Sequence, residues 1–228
     1  MLGDVHGAHR ALVQVLQRAN VDRETDRVVC LGDVCDGWPE TRECMDELLT
    51  LRLLTFVLGN HDAWLLQWAQ SGVKSAPWLE QGGRATLASY GDDASAVPAA
   101  HRALLEGATH WHQDRDRMFV HGGWPVAHSH PSVCEPHKLM WDRSLWHDAR
   151  GIGFRIPGAR LTQFGAVFIG HTSTEAYSLE PVQACEVWNL DQGAGWSGRL
   201  TLMDADTHEY WQSDRVTELY PECVGRAA

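Results

Sequence analysis

Five short segments carry side chains suited to gripping metal ions: Gly3-Asp4-Val5-His6-Gly7, Gly32-Asp33-Val34-Cys35-Asp36, Gly59-Asn60-His61-Asp62, His121-Gly122-Gly123 and Gly170-His171-Thr172. They supply Asp4, His6, Asp33, Asn60, His121 and His171 as candidate ligands, with His61 and Asp36 left over. Oxygen and imidazole donors without a thiolate suit a hard or borderline divalent cation. Six donors exceed what one open catalytic metal takes, and suit two ions that share a bridging carboxylate. Asp4 and His6 are two residues apart, so an extended segment presents both on one side. Asp33 can bridge, and Asn60, His121 and His171 can complete a second ion. Flanking glycines let the backbone turn sharply and come close to an ion. Taken singly, Asn60 reads as a helix cap and His121 as a satisfied core histidine. All five segments in order, most of them at the end of an apolar run, outweigh those bland readings.

Strands must deliver these residues to one sheet edge. Apolar spacing predicts a helix over 8–19, a strand over 28–31, a helix over 41–52, a strand over 53–58 and a helix over 60–68. This alternation implies βαβ units with right-handed crossovers. The middle carries Gly82-Gly83, a short helix over 84–90 and a helix from Pro98 to Leu105. Strands over 118–120 and 166–169 deliver His121 and His171, with a Gly-, Pro- and His-rich loop over 122–136 between them. Residues 185–190, 200–203 and 208–211 read as consecutive strands, the last two joined by a turn at 205–207, so the second half is expected to be an antiparallel sheet. Only Met1 and Leu2 precede Gly3, so the strand presenting Asp4 is expected to be truncated or to begin upstream.

A chain of 228 residues without linker, repeat or low-complexity tract can bury a large core, and a single domain over 1–228 is expected. No apolar run approaches a membrane span and no basic-then-apolar leader is present, so a cytoplasmic protein without a membrane partner is expected. The net charge of −11 repels nucleic-acid backbones and argues against a nucleic-acid polymer as partner. It leaves room for a phosphorylated substrate, because bound divalent ions reverse the local field. The six cysteines show no CxxC spacing and read as reduced, packed thiols, Cys35 among them. Of the eleven tryptophans, Trp38, Trp64, Trp124, Trp141 and Trp146 flank the motifs, either as core and rim packing or as an aromatic wall for a substrate ring. His110, His112, His128, His130 and His137 lack ligand spacing.

The five segments in this order resemble the calcineurin-like metallophosphoesterases, in the branch that holds bacterial and phage serine/threonine phosphoprotein phosphatases and symmetrical diadenosine tetraphosphatases. Trp141-Asp142-Arg143 and Leu190-Asp191-Gln192-Gly193-Ala194 extend the resemblance, which runs from Gly3 to about Met203. It implies an α/β (α+β) fold, a four-layer β-sandwich of two mixed sheets flanked by helices. It further implies that Asp4, His6 and Asp33 bind one metal, and that Asp33 bridges to a second held by Asn60, His121 and His171. His61 would be the general acid, Asp36 its orienting partner, and Arg143 a phosphate clamp with Asn60 as a further substrate contact. The reaction implied is hydrolysis of a phosphate monoester on a phosphorylated peptide or small molecule, by direct attack of a hydroxide bridging two divalent ions. Manganese is the expected metal, with iron or zinc possible in one position. The alternative is a symmetrical dinucleoside tetraphosphatase or another nucleotide phosphohydrolase.

Two departures bear on substrate choice. The family's second motif carries an arginine beside the residue matching Asp36, where this chain has Gly37 followed by Trp38 and Pro39. Arg84, after Gly82-Gly83, or Arg42 could replace it; each also reads as a solvated surface arginine. The third motif ends in Asp62, as in the dinucleotide hydrolases, rather than the glutamate usual in the protein phosphatases.

Overall fold

Leu2 takes the strand position that the first motif needs. It bridges Cys30 in parallel on one side and Leu202 in antiparallel on the other, in a computed structural model that describes residues 1–226. Helix α1 (His9–Arg18) and strand β1 (Arg27–Cys30) follow, then α2 (Thr41–Leu48), β2 (Leu53–Phe56) and α3 (Asn60–Ser71). A single turn, α4 (Ala76–Trp78), runs through a π-turn at Leu79–Gly83 into α5 (Arg84–Ser89). Helix α6 (Ala99–Glu106) leads to the hairpin β3 (Trp111–Asp114) and β4 (Arg117–Val120). Helices α7 (Pro136–Trp141) and α8 (Ser144–Arg155) cross to β5 (Ala166–Ile169). Strands β6 (Val182–Ala184), β7 (Val187–Asn189), β8 (Asp191–Gln192), β9 (Arg199–Met203) and β10 (Tyr210–Gln212) precede α9 (Val216–Leu219).

The helices form where apolar residues recur at helical spacing. Ala11, Leu12, Val15 and Leu16 make the buried face of α1. Helix α3 stops at Gly72, whose left-handed φ of 72° lets its N–H close on the Trp68 carbonyl. Helix α2 ends at Leu48 rather than near 52, because the Leu51 N–H turns back to the Leu48 carbonyl before β2 begins.

Two mixed sheets result. In the first, β1 and β2 run parallel, Leu2 links β1 to β9, and β9 pairs antiparallel with β10 and β8. In the second, ordered β3-β4-β5-β7-β6, the three central strands are parallel and both edges antiparallel. Leu31, Val57, Phe119, Phe168, Leu190 and Met203 fill the space between the sheets. Leu12, Val15, Met45 and Leu48 cover the outer face of the first sheet, and Leu139, Leu145 and Trp146 that of the second. These are the four layers the motifs imply.

The second half is not the antiparallel sheet its strand spacing suggests. The α7–α8 crossover returns β5 parallel to β4, as a helical connection requires, and β7 adds parallel to β5. Strands β9 and β10 do form the expected hairpin, but they join the first sheet through Leu2. The C-terminal ends of the Leu2 segment, β1, β2, β4 and β5 therefore open on one edge, and the residues that follow them are the five motifs. No helix of the described residues is long and apolar enough to cross a membrane.

Candidate metal centre

The first two motif loops are laced together by backbone. Val5 and His6 both donate to the Asp33 carbonyl at 3.0 and 2.9 Å, and Gly7 donates to the Val34 carbonyl at 2.7 Å. His6, Asp33, Asp36 and His171 all hold positive φ, at 52°, 50°, 71° and 65°. Non-glycine residues adopt this region at a cost that surrounding contacts must offset, and such residues gather at functional sites. Two glycines are fixed by close approach: a Cβ at Gly59 would lie 2.2 Å from Asp33 Oδ1, and one at Gly170 would lie 2.0 Å from Asp4 Oδ1.

Asp62 holds the third loop to the second. Its carboxylate accepts from the backbone N–H groups of Asp33 (2.7 Å), Val34 (2.9 Å) and Gly59 (3.0 Å). It is thus at once the N-terminal cap of α3 and the clamp on the loop after β1. Its position three residues after Gly59, at the head of α3, is the sequence signal of this clamping role.

Asp33 stands at the centre. Its Oδ2 lies 3.2 Å from His121 Nε2 and 3.9 Å from His6 Nε2, and its Oδ1 accepts from the His61 N–H at 2.9 Å. Two triads share it: His6, Asp33 and His61, and Asp33, His121 and His171, each with ligand atoms within 4.8 Å of one another. His6 Nδ1 donates to the carbonyls of Cys35 and Asp36 at 3.1 and 3.0 Å, and His121 Nδ1 donates to the Leu31 carbonyl at 2.7 Å. Both rings therefore turn Nε2 toward the centre, the orientation that a carbonyl on Nδ1 imposes on a metal-ligating histidine. His121 Nε2 also meets Asn60 Oδ1 at 3.2 Å. Asp4 lies outside both triads and is tied in through its Oδ2, which accepts the His171 N–H at 2.9 Å.

The donor set fits divalent cations. Asp4 Oδ1 and His171 Nε2 are buried without a hydrogen-bond partner among the described residues. Buried lone pairs left this way are costly unless a cation meets them. Charges at the centre are correspondingly displaced. Burial, reinforced by Asp191, raises the Asp4 carboxyl well above the usual range. Burial opposes ionisation of Asp33 too, but His121, His61 and His6 outweigh it and hold that carboxyl well below the usual range. Burial likewise disfavours a charged His121, yet Asp33 and Asp4 push it up to about 10. Burial, with His121 and Arg143 adding repulsion, lowers His171 to about 2; burial together with Arg226 and His61 lowers His6 well below its ordinary value. His6 and His171 are thereby held in the neutral state a metal needs, whereas His121 must give up a proton to a metal.

Beside this centre lies a buried His61–Asp36 pair. Asp36 Oδ2 accepts from His61 Nδ1 and from Trp78 Nε1, both at 2.7 Å, and Oδ1 accepts from Thr86 Oγ1 at 2.6 Å. Three donors fix the carboxylate, and the carboxylate fixes the proton on Nδ1, leaving Nε2 as the free ring nitrogen. Cys35 is buried, and burial with Asp36 and Asp62 raises its thiol well above the ordinary value, so it packs rather than reacts. All six cysteines are free.

The rim is aromatic and cationic. Trp64 packs edge-on to His61 at 5.1 Å and to Trp141 at 5.3 Å, and Trp141 meets His171 at 5.8 Å. Trp38, Trp124 and Trp146 are core residues instead, so the two readings of the motif tryptophans divide between them. Arg143 is exposed at the head of α8, close enough for its charge to lower His171. Arg84 and Arg42 are exposed, and among the described residues neither bonds to a candidate ligand. Two neighbours escaped sequence reasoning. Asp191 is buried, and burial with the charge of Asp33 raises its carboxyl to about 6 against the opposing pull of the Gly193 N–H and Arg226. Arg226 places its Nη1 3.4 Å from His6 Nε2.

A family model for the calcineurin-like phosphoesterases matches residues 1–174. The chain is similar to serine/threonine-protein phosphatase 1 of Salmonella typhimurium, 27% identical over 213 residues that cover 89% of each chain. It is also similar to the symmetrical bis(5'-nucleosyl)-tetraphosphatase of Pseudomonas fluorescens, 25% identical over 270 residues that cover 91% of each. Among solved structures, a metallophosphoesterase from Sphaerobacter thermophilus superposes with a TM-score of 0.59 over 97% of this chain and 92% of that one; at 19% identity the likeness is one of fold.

Proposed function

This chain belongs to the calcineurin-like phosphoesterase family, and from that premise we propose that it is a dinuclear metal-dependent phosphatase hydrolysing phosphate monoesters, on phosphoserine and phosphothreonine and on small phosphoesters. The observation that carries the reading is the pair of triads sharing Asp33, with a buried His61–Asp36 pair against them. Asp4, His6 and Asp33 would hold one divalent ion, and Asp33, Asn60, His121 and His171 the other. Bound there, the ions supply Lewis-acid stabilisation of a phosphoryl group and a more acidic water. Manganese suits this oxygen and imidazole set, and iron or zinc can take one position.

The chain's own side chains do the rest. His61 gives the proton from Nε2 to the departing oxygen, which would otherwise leave as an alkoxide. Asp36, pinned by Trp78 and Thr86, keeps that imidazole in place. Arg143 and Asn60 contact the phosphoryl oxygens, the guanidinium by paired hydrogen bonds. Trp64 and Trp141 border the site as a wall against which the substrate's carbon skeleton can rest. Arg84, exposed as it is, would act only on a part of the substrate that extends past the rim.

The comparison lengths favour phosphomonoesters over dinucleotides. The serine/threonine phosphatase spans 89% of this chain in 213 aligned positions, whereas the tetraphosphatase needs 270 to span 91%, so the latter carries insertions this chain lacks. The test is hydrolysis at manganese of about 1 mM, an order of magnitude chosen to fill open sites by mass action. kcat/KM is read for a phosphothreonine peptide and for diadenosine tetraphosphate. Preference for the peptide is the expected result. Preference for the dinucleotide reassigns the protein to nucleotide hydrolysis and makes Trp64 and Trp141 base-stacking residues.

A further inference from the structure

Arg226 enters the candidate metal centre from far along the chain and is seated by residues that have given up their side chains. A Cβ built on Gly37 would lie 3.0 Å from Arg226 Cγ, one on Gly82 3.2 Å from the same atom, and one on Gly195 3.1 Å from Cδ. Three glycines from three separate segments thus leave a channel that the stem of one arginine fills. Gly37 and Gly82 are also bonded to each other, N–H to carbonyl at 3.2 Å. The Arg226 backbone is fixed by its N–H to the Gly195 carbonyl at 2.8 Å. The preceding Gly225 fits because a Cβ there would press on the Trp38 ring at 2.7 Å. The guanidinium carbon sits 4.6 Å over the Trp196 ring, Nη2 reaches Gln81 Oε1 at 3.4 Å, and Nη1 reaches His6 Nε2 at 3.4 Å.

What this guanidinium lacks is an anion in contact, since Asp191 lies within its electrostatic reach but is not bonded to it. Its Nε is buried without a partner, and it forms no salt bridge among the described residues. A cation held beside imidazoles that themselves face a cation site is repelled unless something negative comes between them. A phosphoryl group is such an anion, and the planar fork of arginine matches it with paired hydrogen bonds.

We propose that Arg226, seated between Gly37, Gly82 and Gly195, is a phosphate-binding arginine of this site, reaching from the end of the described chain to grip the phosphoryl group over His6. The inference rests on the phosphatase reading above and names the residue that would set its affinity for phosphate. Arg84 and Arg42 are then surface residues.

The test uses the full chain loaded with manganese, as wild type, Arg226→Ala and Arg226→Lys. Calorimetry reads the binding of manganese and then of inorganic phosphate, and hydrolysis of p-nitrophenyl phosphate gives kcat and KM. The expected result for Arg226→Ala is phosphate binding weakened by roughly 10- to 100-fold, the scale of one or two charge-assisted hydrogen bonds. KM rises, kcat falls, and the two manganese ions bind as in wild type. Arg226→Lys recovers part of the loss, because it restores charge but not the fork. Phosphate affinity within twofold of wild type in Arg226→Ala overturns the proposal. So does a faster, tighter-metal-binding Arg226→Ala, which would make the arginine a plug on the ligands. A wild type that neither binds manganese nor hydrolyses the ester overturns the phosphatase reading beneath it, a result distinct from an active wild type with an indifferent variant.

Discussion

His61 and Asp33 touch through a backbone N–H, yet their tasks separate cleanly. His61 is held by Asp36 through Nδ1, so replacing its ring would remove the proposed proton donor and spare the candidate ligand carboxylate. His61→Asn is expected to lower kcat by about 10²–10⁴, the usual contribution of a positioned acid, while calorimetry still counts two manganese ions. Asp33→Asn takes away the oxygen common to both triads. It is expected to lose metal along with activity, and a variant that keeps both ions would sink the bridging role. Protons report the same centre. His121 is raised from its ordinary 6.5 to about 10, so the folded, metal-free protein holds its proton more tightly than the unfolded chain does. The stabilisation from that imidazolium is fully present below 6.5 and is lost as pH rises through about 10. Within that window a metal must expel the proton to reach Nε2. The manganese Kd should therefore fall with rising pH by up to about tenfold per unit. Calorimetry in two buffers of different ionisation enthalpy should show release of at least one proton per protein, and a Kd that is flat between about pH 7 and 9 would refute the coupling.

Strand ends and helix starts set these side chains in place, and Asp62 is where two such elements are joined. Its two oxygens accept from three backbone donors, two after β1 and one at the head of α3. Asp62→Ala should cost roughly 2–4 kcal/mol by leaving buried N–H groups unpaired. Asp62→Asn should recover little, since its NH₂ would point at a donor. Urea unfolding with a lowered midpoint and unchanged slope checks both. Elements of this kind were legible to different degrees. Helix α1 and strands β1, β4 and β5 could be read because each carries its burial in its own spacing. The candidate ligands stand out because glycine-flanked residues at strand ends form a local pattern. Helices α7 and α8, which follow the Gly-, Pro- and His-rich loop, are not legible in the sequence, because their faces are defined by the sheet they cover. The sheet to which β9 belongs depends on Leu2, a partner with almost the whole chain between them, and no strand pattern encodes that pairing. Arg226 is legible least of all: its signal is three glycines that become neighbours only on folding, and it meets His6 across 220 residues.

Across the whole molecule, the candidate ligands are divided between the two sheets. Asp4, Asp33 and Asn60 follow strands of the first, and His121 and His171 follow β4 and β5 of the second. Ions held by both sets would tie the sandwich together at one edge, where the backbone is otherwise in strained turns. A net charge of −11 draws cations toward the molecule and opposes polyanions, so cation capture comes before phosphate capture. Metal occupancy should therefore be visible as global stability. At free manganese about a hundredfold above Kd, one site adds about 2.7 kcal/mol to the folded state. For a chain of this size that raises Tm by roughly 5–10 °C, with more from a second site. Chelation should return Tm to the metal-free value, and Asp33→Asn should show no manganese-dependent shift at all. Differential scanning calorimetry of both proteins with and without manganese decides the matter. A wild-type Tm indifferent to the metal would mean that the two sheets do not share ions, and the dinuclear reading would fall with that result.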